Sequence, residues 1–185
     1  MPARRSVALP AQRATEDDLR ATPNDGRKYE LVDGEIRMNP AGPRHSVICL
    51  RLAVALSAFA REKALGEVFG SDIGFRLPGG NVRSPDVSFV ASERMGESAS
   101  SDDFPDLAPD LAVEVLSPSE RPRHVLDKVG EYLETGVRLV WIIDPAKTKA
   151  VVYRSLSDVI ELQAGDQLDG GEVLPGFRCR LSDIL

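Results

Sequence analysis

One short apolar stretch constrains the fold of this chain more than any other. Residues 109–118 read Pro-Asp-Leu-Ala-Val-Glu-Val-Leu-Ser-Pro, an apolar run with a proline at each end. Such a run, bounded by residues that interrupt regular structure, predicts a buried β-strand. Glu114 lies in the middle of it. Because a buried carboxylate is costly unless a cation or hydrogen bonds compensate it, the strand predicts a cationic partner for Glu114.

A helix and a second apolar strand follow this stretch. Residues 123–135 have a helical pattern, and residues 137–144 read Val-Arg-Leu-Val-Trp-Ile-Ile-Asp. A strand, a helix and a strand in this order predict a right-handed parallel crossover. Lys128 falls on the edge of the apolar stripe of the helix, so its side chain is expected to point toward the sheet. Glu114 and Lys128 can therefore meet.

The rest of the chain predicts shorter elements. Thr15, with Asp18 three residues later, is typical of a capping box that opens a short helix. Asp33-Gly34 between two short strands predicts a β-hairpin over residues 28–38. An apolar stripe predicts a helix over residues 44–65. Further strands are expected at residues 67–69, 73–77, 83–90 and 149–154, a surface loop at 91–106, and short strand fragments from 159 to 185.

This order of elements predicts an α/β fold. We expect a mixed sheet flanked by helices, with an additional N-terminal hairpin and short C-terminal strands. The length of 185 residues suits one domain with one core. That domain is expected to cover residues 15–185, after a flexible N-terminal tail at residues 1–14.

Composition narrows the class of protein. The net charge of −6 argues against tight nucleic-acid binding by bulk electrostatics, but it does not exclude an enzyme that uses metal ions to handle phosphate. Two cysteines, Cys49 and Cys179, are too few for a disulfide framework of the secreted kind. No apolar run is long enough to span a membrane, and no apolar signal-peptide core follows the basic N-terminus. A cytoplasmic protein without a membrane partner is expected.

A second acidic residue stands at the entry of another strand. Asp86 follows Pro85, and it precedes Glu114 by 28 positions (114 − 86). Two carboxylates of this kind suit a hard divalent cation such as Mg²⁺, which prefers oxygen ligands. Such an ion polarises a phosphoryl oxygen and lowers the pKa of a bound water. A lysine nearby can orient that water or neutralise charge that develops on the phosphate.

Ser84-Pro85-Asp86, followed by Glu114 in an apolar strand, resembles the PD-(D/E)XK nuclease superfamily. More closely, a set of fragments in this order resembles a bacterial family of restriction-endonuclease-like proteins of unknown function. The resemblance covers roughly residues 15 to 180, and its fragments lie at residues 29–35, 43–45, 83–86, 114–119, 128–132, 136–137 and 140–145.

The resemblance implies a restriction-endonuclease-like fold and Mg²⁺-dependent hydrolysis of phosphodiester bonds, with Mn²⁺ able to substitute. It implies Asp86 and Glu114 as metal ligands and Lys128 as the catalytic cation. The chain departs from the superfamily pattern at one point. The lysine usually stands two residues after the second acid, where this chain has Leu116. Lys128, on the following helix, would take its role.

Three further residues are candidates for the site. Glu30 is a candidate third catalytic acid, or else a solvated strand residue. His45 is a candidate for binding phosphate or substrate, or else caps a helix. Arg83 is a candidate phosphate contact, or else an ordinary surface arginine.

Structural roles stay open beside these functional ones. Asp86 could cap a strand, and Glu114 with Lys128 could form a structural ion pair. Lys28 is interpreted as hairpin surface. Core packing is expected for Tyr132, Trp141, Cys49 and Cys179.

The leading hypothesis is a nuclease that acts on nucleic acid, with DNA favoured over RNA. Cleavage of both strands calls for two sites, so a symmetric homodimer is expected. The alternative is a catalytically inactive nuclease fold that serves as a binding or regulatory module. A distance on the order of 10 Å between Lys128 and both acids would favour that alternative, because charge pairs act over a few ångströms. A third hypothesis is a toxin-like or defence protein that depends on another chain.

Overall fold

The computed structural model describes residues 13–25, 27–39, 42–96, 103–118 and 120–185. Its helices are α1 (Glu16–Arg20), α2 (Pro43–Glu62), α3 (Ser92–Met95), α4 (Pro122–Glu134) and α5 (Leu181–Ile184). Its strands are β1 (Lys28–Val32), β2 (Glu35–Asn39), β3 (Gly66–Gly70), β4 (Phe75–Arg76), β5 (Val82–Arg83), β6 (Val87–Ala91), β7 (Leu111–Val115), β8 (Leu139–Asp144), β9 (Lys149–Tyr153), β10 (Val159–Gln163), β11 (Gln167–Asp169) and β12 (Arg178–Arg180).

Parts of two predicted segments lie outside the described residues. These parts are residues 1–12 of the expected tail and residues 97–102 of the expected surface loop. At the described end of the tail, the backbone N–H of Ala14 donates to the carbonyl of Gly34 at 2.8 Å. The division of the chain into a tail and one domain stays a prediction.

A six-stranded sheet forms the centre of the fold. Its strands lie in the order β10-β9-β8-β7-β6-β3. The pair β7–β8 is parallel, and the other neighbours are antiparallel. Helix α4 connects the two parallel strands, as the strand–helix–strand pattern predicts. The predicted mixed sheet flanked by helices is therefore confirmed.

The large sheet is covered on both faces. Because side chains alternate along a strand, Val113 packs into the cluster beneath α2, whereas Ala112 packs into the cluster beneath α4. Trp141 is fully buried in the α2 cluster, where its ring stacks on Phe177 at 6.0 Å between centroids. Glu114 shares the face of Ala112. The pleat therefore directs its carboxylate toward α4.

A four-stranded antiparallel sheet lies beside the large one, in the order β2-β1-β5-β4. The hairpin β1–β2 turns at Asp33-Gly34, as predicted, and both residues have positive φ angles, 55° and 78°. The predicted strand over residues 83–90 is wrong as a single element. It is two strands, β5 in the small sheet and β6 in the large one. Pro85 interrupts the ladder between them because it has no N–H to donate.

The remaining elements are short. The predicted strand at residues 73–77 shrinks to β4, and the C-terminal fragments form β10, the hairpin β11–β12 and a final turn of helix, α5. Among the described helices, none combines the length and the apolar character that a membrane crossing requires.

Candidate active site

Four elements bring charged side chains together at the junction of the two sheets. Glu30 comes from β1, Asp86 from the break between β5 and β6, Glu114 from β7 and Lys128 from α4. All four side chains are buried. Glu30, for which the sequence left a solvated position open, is only 1% exposed. The structure therefore gathers the predicted catalytic residues in one place.

Glu114 has the cationic partner that its burial requires. The Nζ of Lys128 lies 2.9 Å from its Oε1, and the hydroxyl of Tyr132 donates to the same oxygen at 2.7 Å. Lys128 and Tyr132 are four residues apart on α4, so both project from one face of the helix. Burial raises the pKa of Glu114, against the opposing effect of the Lys128 and Lys28 ammonium groups. Burial also raises the pKa of Tyr132 well above its usual value.

Glu30 lies on the other side of Lys128. Its Oε2 is 3.5 Å from the Lys128 Nζ, and its Oε1 accepts the backbone N–H of Ser84 at 2.9 Å. Burial alone would raise the pKa of Glu30, but the nearby cations, Lys128 first, lower it. The Lys128 ammonium is thus held between an acid of the large sheet and an acid of the small one.

Asp86 accepts hydrogen bonds through both oxygens. Its Oδ1 lies 2.9 Å from the Nζ of Lys28, and its Oδ2 accepts the backbone N–H of Val115 at 2.8 Å. The Nε2 of His45 lies 3.0 Å from the same Oδ2. Burial would raise the pKa of Asp86, but Lys28 and His45 outweigh it and hold that pKa well below its usual range. Asp86 is therefore a firmly ionised carboxylate.

Lys28 joins the two predicted metal ligands. Besides its contact with Asp86, its Nζ lies 3.8 Å from the Oε2 of Glu114. Burial would lower the pKa of Lys28, but the carboxylates of Glu114, Asp86 and Glu30 raise it above its usual value. One cationic group therefore already spans Asp86 and Glu114. Because carboxylate oxygens are also the ligands that Mg²⁺ prefers, this pair fits a hard cation.

His45 lies in the first turn of α2, half-buried against Asp86. Its hydrogen bond with Asp86, followed by that with Cys49, raises the pKa of the imidazole to about 10. The Cys49 Sγ, one helical turn further on, lies 3.5 Å from the His45 Nδ1. The Asp86 carboxylate therefore favours the protonated form of His45.

Arg83, the other predicted substrate-binding residue, is buried. Its guanidinium donates to the Oε2 of Glu131 through both Nε, at 2.7 Å, and NH2. Its NH1 also lies 3.6 Å from the Oε2 of Glu30. Burial would lower the pKa of Arg83, but Glu30 and Glu131 raise it.

The structure adds to the site three side chains to which the sequence analysis gave no functional role. Lys28 is not hairpin surface, since it contacts Asp86. Tyr132 is core, as predicted, but its hydroxyl also binds Glu114. Cys49 contacts His45 in addition to packing. Lys28 stands two residues before Glu30 on one strand, and side chains two residues apart lie on the same face. This spacing could therefore have placed Lys28 beside Glu30 in the site.

An open cleft of about 2110 Å³ borders these residues. Its lining includes six arginines: Arg13, Arg27, Arg37, Arg83, Arg121 and Arg123. Pockets for small molecules are typically about 300–1,000 Å³. The cleft therefore has the size for part of a polymer.

A mixed sheet flanked by helices, with two acids and a lysine buried where it meets the small sheet, is a restriction-endonuclease-like arrangement. The chain belongs to the Uma2 family: the family model, described as "Putative restriction endonuclease", matches residues 16–182. The expected family and fold are thereby confirmed.

Solved structures include a similar protein from Anabaena variabilis ATCC 29413, described as a "putative nuclease belonging to DUF820". It shares 20% identity with a TM-score of 0.80, over 92% of this chain and 96% of that one, and this likeness shows the fold. A second structure, described as a DrdV–DNA complex, has 16% identity and a TM-score of 0.40, over 62% of this chain and 10% of that one. That score is too low to support an argument. None of the curated proteins compared with this chain matches it.

Proposed function

We propose that this chain is a Mg²⁺-dependent nuclease that hydrolyses phosphodiester bonds in DNA. One observation carries the proposal. Asp86, at the break before β6, and Glu114, on β7, share one cation, Lys28, and Lys128 lies 2.9 Å from Glu114. Two acids that share a cation, with a lysine in contact with one of them, match the set that the superfamily resemblance implies. A distance on the order of 10 Å between Lys128 and both acids would have favoured the binding-module alternative, whereas Lys128 contacts Glu114.

Asp86 and Glu114 would hold the metal ion. When bound there, Mg²⁺ or Mn²⁺ would polarise a phosphoryl oxygen and lower the pKa of a bound water. Asp86 is suited to this role because its low pKa keeps it ionised. The acids, Lys128, His45, Arg83 and Lys28 all line the open cleft. A phosphate group of a polymer can therefore approach all of them from one side.

Lys128 would orient the attacking water and stabilise negative charge that develops on the phosphate. Glu30 would be a positioning residue, because it holds the Lys128 ammonium from the side opposite Glu114. A fixed ammonium needs no reorganisation when charge develops, which is the condition for effective electrostatic stabilisation. The position on α4 thus compensates for Leu116 at the usual lysine position.

Two further cations would contact the substrate. His45 would bind a phosphate oxygen as an imidazolium. Arg83 would do so only after its guanidinium leaves Glu131. A symmetric homodimer would supply two such sites for the two strands of a duplex. The cytoplasmic location stays a prediction.

Cleavage assays with matched variants test this proposal. Glu114→Gln and Asp86→Asn keep the shape of each side chain while removing the charge. Metal stabilisation is worth several kcal/mol, so each variant should lose about 10²–10⁴-fold in Mg²⁺-dependent cleavage of labelled duplex DNA. Glu67→Gln, which changes an exposed acid of β3, is the control and should cleave like the wild type. Single-stranded DNA and RNA serve as competing substrates.

Circular dichroism would show that the variants are folded. Mg²⁺-dependent cleavage at wild-type rates by both folded variants would contradict the assignment. So would wild-type cleavage that persists unchanged in EDTA.

A further inference from the structure

His45, Cys49 and Asp86 form a second set of donor atoms beside the acid pair. One atom from each, a ring nitrogen, a sulfur and a carboxylate oxygen, lie within 4.8 Å of one another. Helix α2 presents His45 and Cys49 four residues apart on one face, a spacing that also places paired ligands on helices in zinc sites. Asp86 approaches from the other side, with its Oδ2 3.0 Å from His45.

The chemistry of this set differs from that of the acid pair. Mg²⁺ takes hard oxygen ligands, whereas imidazole and thiolate ligands favour Zn²⁺ and related ions. Three protein ligands with a fourth position left to water or substrate is the usual arrangement of an open zinc site. His45, Cys49 and Asp86 all line the cleft, so an ion can reach them and keep that fourth position.

We propose that His45, Cys49 and Asp86 bind Zn²⁺, and that this ion inhibits the nuclease by taking Asp86 away from Mg²⁺. The inhibition rests on the proposed function, whereas the zinc site does not. Zinc bonds of about 2.0–2.3 Å require the three donor atoms to draw together by small side-chain rotations. His45 would ligate through one ring nitrogen and Cys49 as a thiolate, so each would release one proton to solvent when the ion binds. One of the two hydrogen bonds of His45, to Asp86 or to Cys49, would be replaced.

Asp86 makes the two sites mutually dependent. Its Oδ1 accepts from Lys28, which also contacts Glu114, and its Oδ2 faces His45. Both sites share the carboxylate of Asp86. An ion bound on the His45 side reduces the negative charge of this carboxylate and turns it away from the Mg²⁺ position. Cleavage would therefore fall as the zinc site fills, and Mg²⁺ in excess would restore it, because the two ions compete for one carboxylate.

Cobalt spectroscopy tests the site without any substrate. Co²⁺ replaces Zn²⁺ in such sites, and a thiolate ligand gives a charge-transfer band in the near ultraviolet. The titration uses the full chain with a phosphine reductant, so that no added thiol competes. The wild type and the control Cys179→Ser should both show the band, and Zn²⁺ should abolish it. Cys49→Ser should lack the band. A wild type without the band, or Cys49→Ser with it, overturns the site.

Inhibition is measured separately, with each protein compared with its own rate before Zn²⁺ is added. Loss of even an indirect metal partner weakens binding about 10–100-fold, so Cys49→Ser should need at least about tenfold more Zn²⁺ for half-inhibition. Equal sensitivity of Cys49→Ser and the wild type overturns the inhibitory role. Absence of Mg²⁺-dependent cleavage in the wild type contradicts the proposed function alone, because the cobalt band is read without substrate.

Discussion

The six-stranded sheet and the β1–β2 hairpin are held in the molecule by different forces. The large sheet lies between two extensive apolar clusters, under α2 and under α4. Among the described residues, the hairpin contributes to neither cluster, and its own cluster has Leu19, Leu31 and Val82 as its buried members. Ion pairs connect it to the rest instead: Lys28 with Asp86 and Glu114, and Glu30 with Lys128.

This difference shows that the candidate active site also connects the hairpin to the large sheet. Apolar packing fixes Glu114 on the large sheet and Lys128 on the helix that covers it, without a contribution from the hairpin. Lys28 and Glu30 reach the same site only if the hairpin docks. The charges that would act on a substrate are therefore the charges that hold the two regions together, and substitutions in the two regions should have different consequences.

The largest effect is expected in the core of the large sheet. Trp141→Ala should lower the free energy of unfolding by about 3–5 kcal/mol, because it removes a fully buried aromatic side chain and leaves a cavity. Urea denaturation followed by far-ultraviolet circular dichroism measures this loss. Leu156→Ala, at a 65% exposed position, is the control and should change stability by less than about 0.5 kcal/mol. A similar small loss for both variants would contradict the assigned core.

Glu30→Gln should act mainly on the small sheet. It removes one of the two acids around Lys128 and one of the two around Arg83, while Glu114 and Glu131 remain, so the cost should be at most about 3 kcal/mol. Hydrogen exchange should show faster exchange at the amides of β1 and β5, while β7 and β8 stay protected. Glu35→Gln, on the exposed side of the same hairpin, should leave the pattern unchanged. Equal loss of protection in both sheets would contradict the conclusion that different forces hold the two regions in place.

Lys28→Met should tighten metal binding. The Lys28 ammonium lies between Asp86 and Glu114, so it competes with a metal ion for their oxygens. Its removal should raise Mn²⁺ affinity about tenfold, equivalent to about 1.4 kcal/mol, as measured by calorimetric titration. Lys63→Met, at an exposed position after α2, is the matched control. Weaker binding in Lys28→Met would show that the lysine supports the metal instead.

The smallest effect is expected at the edge of the small sheet, where α1 meets β4. Arg76 and then Arg20 bind Glu16 and lower the pKa of its carboxyl to about 2. A lowered pKa means that the pair stabilises the fold above the unfolded pKa of about 4.5 and that this stabilisation is lost as the pH falls toward 2. Glu16→Gln should therefore cost no more than about 1 kcal/mol at neutral pH, since partly exposed pairs are screened.

Unfolding at a series of pH values measures that difference. The gap between the wild type and Glu16→Gln should close as the pH falls from 4.5 to 2. Asp17→Asn, at an exposed neighbouring acid, is the control. If the stability difference between the wild type and Glu16→Gln widened on acidification, the predicted pH dependence would be wrong.

The same comparison explains what the sequence could predict. Glu114 and Lys128 belong to one strand–helix–strand unit, and the periods of strand and helix are enough to place them together. The break at Pro85 was missed, because it depends on β5 joining β1 in the small sheet while β6 joins β7 in the large one. Lys28 was missed for the same reason: its burial depends on the docking of the hairpin against Asp86, 58 residues later (86 − 28).

Calorimetric titration of Mn²⁺ into the wild type and Glu114→Gln tests the central claim most directly. Glu114 is the right residue to change, because it belongs to the acid pair and not to the set formed by His45, Cys49 and Asp86. The account predicts one binding event in the wild type that is lost in a folded Glu114→Gln protein. Binding of equal affinity and stoichiometry in both proteins would contradict a metal site at Asp86 and Glu114.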